Sequence, residues 1–199
     1  MYTIKKIERK ISGMDDKLWE IAEVAPVTIN NWKQFEYLPN TYAKLLYSDE
    51  GLFVKMSTDE KPLLARYTKQ NDKVCTDSCM ELFIRPNSED MRYLNFEFNP
   101  FGTMYFAIRT NRFDPVHPSE DKKFFDVQTL VEEDKWTIQF MIPFSYIDEV
   151  FGGHTKVMLG NLYKCGEQTE REHYGSYYPM HPTEIDFQRS EYFGEFILE

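Results

Sequence analysis

The sequence predicts an all-β chain: an antiparallel, jelly-roll-like β-sandwich with one or two short helices. Three observations predict it. Short runs of alternating apolar and polar residues recur along the chain, with turn residues between them. Aromatics are abundant (16 Phe, 13 Tyr and 3 Trp), and such residues favour strands. Helical periodicity is confined to two brief stretches. The 199 residues suffice for one domain, 1–199, with a substantial core.

Tyr2–Glu8 alternates weakly and reads as an edge strand. Ser12-Gly13 is a turn, after which Asp15 is placed to cap a short helix carrying Leu18, Trp19 and Ala22, with Trp19 as a core plug. Ala43–Tyr47 and Leu52–Ser57 form a hairpin across Ser48-Asp49-Glu50-Gly51, where Gly51 offers a positive φ. Ser78–Arg85 and Tyr93–Asn99 are the two most regular strands, and Met104–Arg109 follows after Gly102. Asn111–Lys123 is a polar loop with two prolines. Phe125–Val131 and Lys135–Ile142 make another hairpin, Pro143 ends it, and Phe144–Phe151 has the pattern of a short helix. Lys156–Lys164 is a strand, Gly166–Glu184 a long polar-aromatic loop, and Tyr192–Leu198 the closing strand. A loop of that length is commonly functional.

In the two regular strands Met80, Leu82, Ile84, Leu94, Phe96 and Phe98 share one face, while Glu81, Asn95, Glu97 and Asn99 lie on the other. A row of carboxylates and carboxamides suits hydrogen bonding to a polyhydroxylated ligand. Sugars also present apolar C–H faces, so rings are needed beside the polar row. Tyr177, Tyr178 and Phe187 are candidates for the rings, and Asn161, Lys164 and His173 extend the polar set. The candidate carbohydrate-binding residues are therefore Glu81, Asn95, Glu97, Asn99, Asn161, Lys164, His173, Tyr177 and Phe187. Two carboxylates on neighbouring strands also match the acid and base of a glycoside hydrolase, with Glu81 and Glu97 in those roles.

A net charge of −10 without a basic cluster argues against nucleic acid and anionic membranes as partners. No apolar run approaches a membrane span, and MYTIKKIERK lacks the apolar core of a leader. The chain reads as cytoplasmic, or as a secreted protein whose leader has been removed. Cys75, Cys79 and Cys165 are too few and too unevenly spaced for a disulfide framework. Together with His173 they match no familiar zinc spacing, so buried thiols are expected.

Several segments carry a family resemblance. Ile11-Ser12-Gly13-Met14-Asp15-Asp16-Lys17-Leu18-Trp19, Leu46–Val54 and Asp77-Ser78-Cys79-Met80-Glu81-Leu82-Phe83-Ile84 resemble the opening, hairpin and acidic strand of the family 9 carbohydrate-binding modules. Tyr93–Gly102, Gly160–Gly166 and Phe187–Gly194 are similar to the stand-alone members of that group. The resemblance implies a β-sandwich with a sugar site on one sheet face, built from two aromatic platforms and polar side chains. It places Glu81 as an acidic ligand contact, Asn95 where relatives carry Arg, and Phe187 in the position of one platform Trp. The other platform position falls near Cys75. The resemblance also implies a carbohydrate ligand, a separately encoded glycoside hydrolase as a partner in polysaccharide breakdown, and structural calcium. Asp15, Asp16, Asp49 and Glu50 are the hard oxygen donors available for calcium, although capping and turn formation explain the same residues. An interaction domain with a decayed sugar site is the remaining reading.

Overall fold

The alternating runs become twelve strands and one α-helix in the computed structural model, which describes residues 1–199. The strands are β1 (Tyr2–Lys6), β2 (Ala25–Pro26), β3 (Thr41–Ser48), β4 (Gly51–Thr58), β5 (Cys79–Arg85), β6 (Tyr93–Phe98), β7 (Met104–Arg109), β8 (Gln128–Val131), β9 (Trp136–Pro143), β10 (Val157–Gly166), β11 (His173–Ser176) and β12 (Gly194–Leu198). Helix α1 (Phe144–Phe151) joins β9 to β10. The strand order is β7-β6-β5-β10-β12-β1-β3-β4-β9-β8, with β11 added to β10 and β2 to β3.

Strand β1 is the fold line of this path. Tyr2, Thr3 and Ile4 pair in parallel with Phe196, Ile197 and Leu198, whereas Lys5 and Lys6 pair in parallel with Leu46 and Tyr47. One sheet therefore curls into two layers. The expected edge strand is interior, because both of its sides are taken, and its two parallel pairings are the exceptions in an otherwise antiparallel sandwich.

Between the layers, Met80, Leu82, Ile84, Leu94, Phe96 and Phe98 meet Val54, Met56, Ile138 and Phe140. Phe96 stacks on Phe106 at 4.6 Å and meets the edge of Phe125 at 4.9 Å. On the outside of the β3–β4–β9 layer, Trp19 plugs a small cluster with Ile11, Leu46 and Phe53, and its indole N–H donates to Gln139 at 3.1 Å. Its turn, Lys17–Glu20, is capped by Asp16 and not Asp15, since the Asp16 carboxylate accepts from the amide of Leu18 at 3.0 Å.

Gly51 is required for a different reason from the one expected. Its φ is ordinary, but a Cβ there would come within 2.4 Å of the Ile142 carbonyl, so the close approach of β9 excludes a side chain. The segment Gly166–Glu184 is also not all loop: β11 lies within it and pairs with the end of β10. The loops Trp32–Phe35 and Met180–Phe187, with Tyr174 of β11, form a third layer over the outer face of β10–β5–β6–β7. The polar row read as a ligand face is therefore roofed.

Gly160, in β10 between β5 and β12, tests how tightly this sheet is drawn. A Cβ there would lie 2.5 Å from the Phe83 carbonyl oxygen. Gly160→Ala should lower unfolding stability by about 1–3 kcal/mol, seen as a lower urea midpoint at unchanged m-value.

Candidate functional site

Register builds the site. Tyr163 on β10, Glu81 on β5, Glu97 on β6 and Tyr105 on β7 stand directly opposite one another and form one row across four strands. Same-face partners on adjacent strands lie roughly 5 Å apart at Cβ, so the two carboxyls sit side by side. Over this row opens a cavity of about 650 Å³, within the roughly 300–1,000 Å³ typical of small-ligand sites.

The ends of the row carry rings. Phe187 lies flat on Tyr163, with centroids 4.2 Å apart. At the β7 end, Tyr105 is fixed by the edge of His117 at 5.1 Å and by an Arg109 Nη2 donation to its hydroxyl at 2.6 Å. Tyr67 and Tyr174 add further aromatic wall, and Ile185 an aliphatic surface. The backbone of Tyr67 is tied down on both sides: its amide donates to Asp77 at 3.2 Å, and its carbonyl accepts from Asn99 at 2.9 Å and Thr103 at 2.8 Å.

Behind the carboxyls runs a chain of donors. Arg109 Nε and Gln188 Nε2 both donate to the Asn95 carbonyl oxygen, at 2.8 and 3.2 Å. Asn95 Nδ2 then donates to Glu97 at 3.0 Å. The Cys165 thiol donates to Glu81 at 2.9 Å. These bonds only partly offset the loss of water. Burial, followed by the neighbouring Glu97, pushes the Glu81 carboxyl well above its ordinary range. Burial also pushes Glu97 up to about 7, against the lowering effect of Asn95 and Arg109. Two carboxyls side by side away from water cannot both ionise readily, so the pair holds at least one proton at neutral pH. Burial likewise pushes the Cys79 thiol up to about 12 and raises those of Cys75 and Cys165. The thiols are protonated donors, not nucleophiles.

The predicted site residues divide three ways. Glu81, Glu97 and Phe187 line the cavity. Asn95 and Asn99 stand one step behind it, the first holding Glu97 and the second holding the backbone of Tyr67. The other four serve the fold. Asn161 is consumed by the backbone of Tyr178, donating at 3.1 Å and accepting at 2.9 Å. Lys164 points into the sandwich, where it pairs with Glu60 at 2.7 Å and donates to the Cys165 carbonyl and to His173 Nε2. His173 is held neutral, its pKa pushed down to about 3 by burial and by Lys164. Tyr177 packs its ring on Tyr2 and Phe196 at the sandwich core. Strand alternation explains Lys164 and His173: each falls on the face opposite Cys165, which also separates His173 from the thiols.

Tyr67, Tyr105, Tyr174, Arg109 and Gln188 were not singled out from the sequence. Tyr105 and Arg109 had a usable signal, since both share the outward parity of a strand next to the carboxylate pair.

Two of the four carboxylates considered for calcium are already engaged. Asp16 is spent on Arg9, Ser12 and the Leu18 amide, and Asp49 pairs with Lys6 at 2.8 Å on another element. The one cluster of three potential ligand groups is Cys79, Glu81 and Cys165, a soft set ill matched to a hard cation. Considered as a hydrolase pair, Glu81 and Glu97 stand side by side on adjacent strands of one floor. No helix is long and apolar enough to cross a membrane.

A roofed cavity on one face of a curled sandwich, with paired carboxyls below and rings at the ends, defines a small-polar-ligand module of the β-sandwich class. Residues 13–198 match the sequence signature of carbohydrate-binding family 9, and the chain belongs to that family. No curated protein matches it. Among solved structures, a candidate carbohydrate-binding protein from Bacteroides uniformis superposes with a TM-score of 0.83 at 22% identity, covering 99% of this chain and 98% of that one. A family 9 module from Caldicellulosiruptor kristjanssonii in complex with glucose gives 0.71 at 15% identity, covering 99% and 94%. The same organism's module in complex with cellotriose gives 0.72 at 15% identity, covering 100% and 93%. At these identities the likeness is one of fold.

Two stability experiments check the electrostatics. Glu81 and Glu97 bind protons more tightly in the fold than in the unfolded chain. Their contribution is therefore full below an ordinary carboxyl value of 4.5 and is lost as pH rises through about 7. The urea midpoint should fall between pH 5 and 8, and Glu97→Gln, which imitates the protonated acid, should flatten that fall. Lys164→Met, which strands the buried Glu60, should cost about 3–5 kcal/mol by chemical denaturation, and adding Glu60→Leu should recover most of it.

Proposed function

We propose that the protein binds a carbohydrate non-catalytically in the cavity above Glu81 and Glu97. The observation that carries this reading is the row itself: two carboxyls at the floor, able to donate as well as accept, between rings at both ends. A sugar ring offers hydroxyls around its rim and C–H groups on its faces, and the row supplies a partner for each. A pair that keeps a proton suits hydroxyls better than two carboxylates would, because each hydroxyl is both donor and acceptor. The wall holding Tyr67 and Tyr105 is bonded in place, so little ordering entropy is left to lose on binding.

Family membership supports the reading, and so do the glucose and cellotriose complexes of the Caldicellulosiruptor module. The platform near Cys75 is replaced here by Tyr67 and Tyr105, which approach from a loop and from β7. A separately encoded glycoside hydrolase is the partner such a module would serve.

Isothermal titration against a panel of mono- and oligosaccharides tests the proposal. Binding in the millimolar range or tighter is expected, with Tyr105→Ala and Glu81→Ala each weakening it by about tenfold or more, the scale of one aromatic or hydrogen-bonded contact. Folded protein that takes up no sugar at millimolar concentration would refute the assignment.

A further inference from the structure

We infer a second sugar subsite beside the cavity, with Phe113 as its stacking platform, that takes the next ring of a ligand longer than one residue. The inference rests on the carbohydrate-binding reading above. A groove of about 230 Å³ adjoins the main cavity of about 650 Å³, and Arg112, Asp186 and Gln188 line both. The two spaces thus adjoin across a wall of polar side chains, in which Arg112 Nη1 lies 3.6 Å from the Asp186 carboxylate. Phe113 is the single apolar residue lining it.

Phe113 is 89% exposed, more than any other large hydrophobic side chain of the protein. Its exposure is enforced by the loop. The amides of Thr110 and Asn111 donate to the Asp114 carboxylate at 3.2 and 2.9 Å, and the Phe113 amide donates to Asn111 at 2.8 Å. The far end of the loop is pinned by two backbone bonds between Ile108 and Val116, at 2.9 and 3.0 Å. Arg109 ties the loop to the cavity floor, because its Nη1 donates to the Arg112 carbonyl at 2.8 Å while its Nε holds Asn95.

A loop backbone held by this many bonds fixes the point from which the exposed ring meets a ligand face. The groove otherwise offers amide, hydroxyl and charged groups of both signs, the mixture that hydroxyl rims require. The occupant is the adjoining residue of an oligosaccharide already anchored in the main cavity.

Titration of matched pairs tests the subsite: glucose with cellotriose, xylose with xylotriose, mannose with mannotriose. Wild type should bind one trisaccharide about tenfold more tightly than its monosaccharide, the gain expected of one stacking contact. Phe113→Ala should erase that gain and leave the monosaccharide within about twofold, and Phe113→Trp should keep it. The exposed position leaves both variants folded. No gain from mono- to trisaccharide in wild type, or equal loss for both in Phe113→Ala, overturns the subsite and leaves the cavity reading intact. Unchanged trisaccharide affinity in Phe113→Ala does the same. Absence of binding to every pair overturns both.

Discussion

The register between β5 and β6 is the constraint on which the site depends. Glu81 faces Glu97 only because Met80 pairs with Phe98 and Leu82 with Phe96, and those four side chains fill the core. A slip of one residue would turn the carboxyls inward and the phenylalanines outward. The apolar core and the polar floor are therefore two sides of one alignment, each enforcing the other. The same alignment runs on through β10 and β7, so the flanking tyrosines arrive without any further device.

Burial then decides the chemistry of that floor. An exposed pair of glutamates would be two anions. Beneath the layer of Trp32, Tyr174 and Phe187 the pair retains a proton because burial outweighs the donors around it: a thiol, an amide turned to donate and an arginine one step removed. A guanidinium bonded directly to Glu97 would ionise it fully. Asn95 stands between them and transmits only part of that charge. The opposite solution operates on the inner face, where Lys164 meets Glu60 directly and the pair is completed by Ser78 and His173.

Much of this was legible in the residues and part was not, for physical reasons. Period-2 alternation marks β5 and β6 plainly, and the break at Pro143 places α1 at its true bounds. Alternation assigns faces but not what covers them, so the row was legible as a ligand face while the full burial of Asn95 and Asn161 was not. The third layer comes from loops without periodicity. Within the Gly166–Glu184 segment, β11 is too short to announce itself, and its pairing with β10 decides that Tyr174 joins the cavity while Tyr177 turns to the core. The placement of such tyrosines depends on contacts far along the chain. Lys164 misled because a lysine in a strand ordinarily marks the wet side, whereas here a distant Glu60 brings it inside.

Strand β1 carries a consequence for how the molecule assembles. Tyr2 lies against Phe196, and Ile4 against Leu198, pairings that span nearly the entire sequence. Because β1 is also the hinge between layers, the sandwich closes only after β12 has left the ribosome. Loop closure of that length is slow, and until it happens the β12 side of β10 and the β1 side of β3 are open strand edges. Until β12 docks, the strands flanking β10 and those flanking β3 are two unjoined half-sheets.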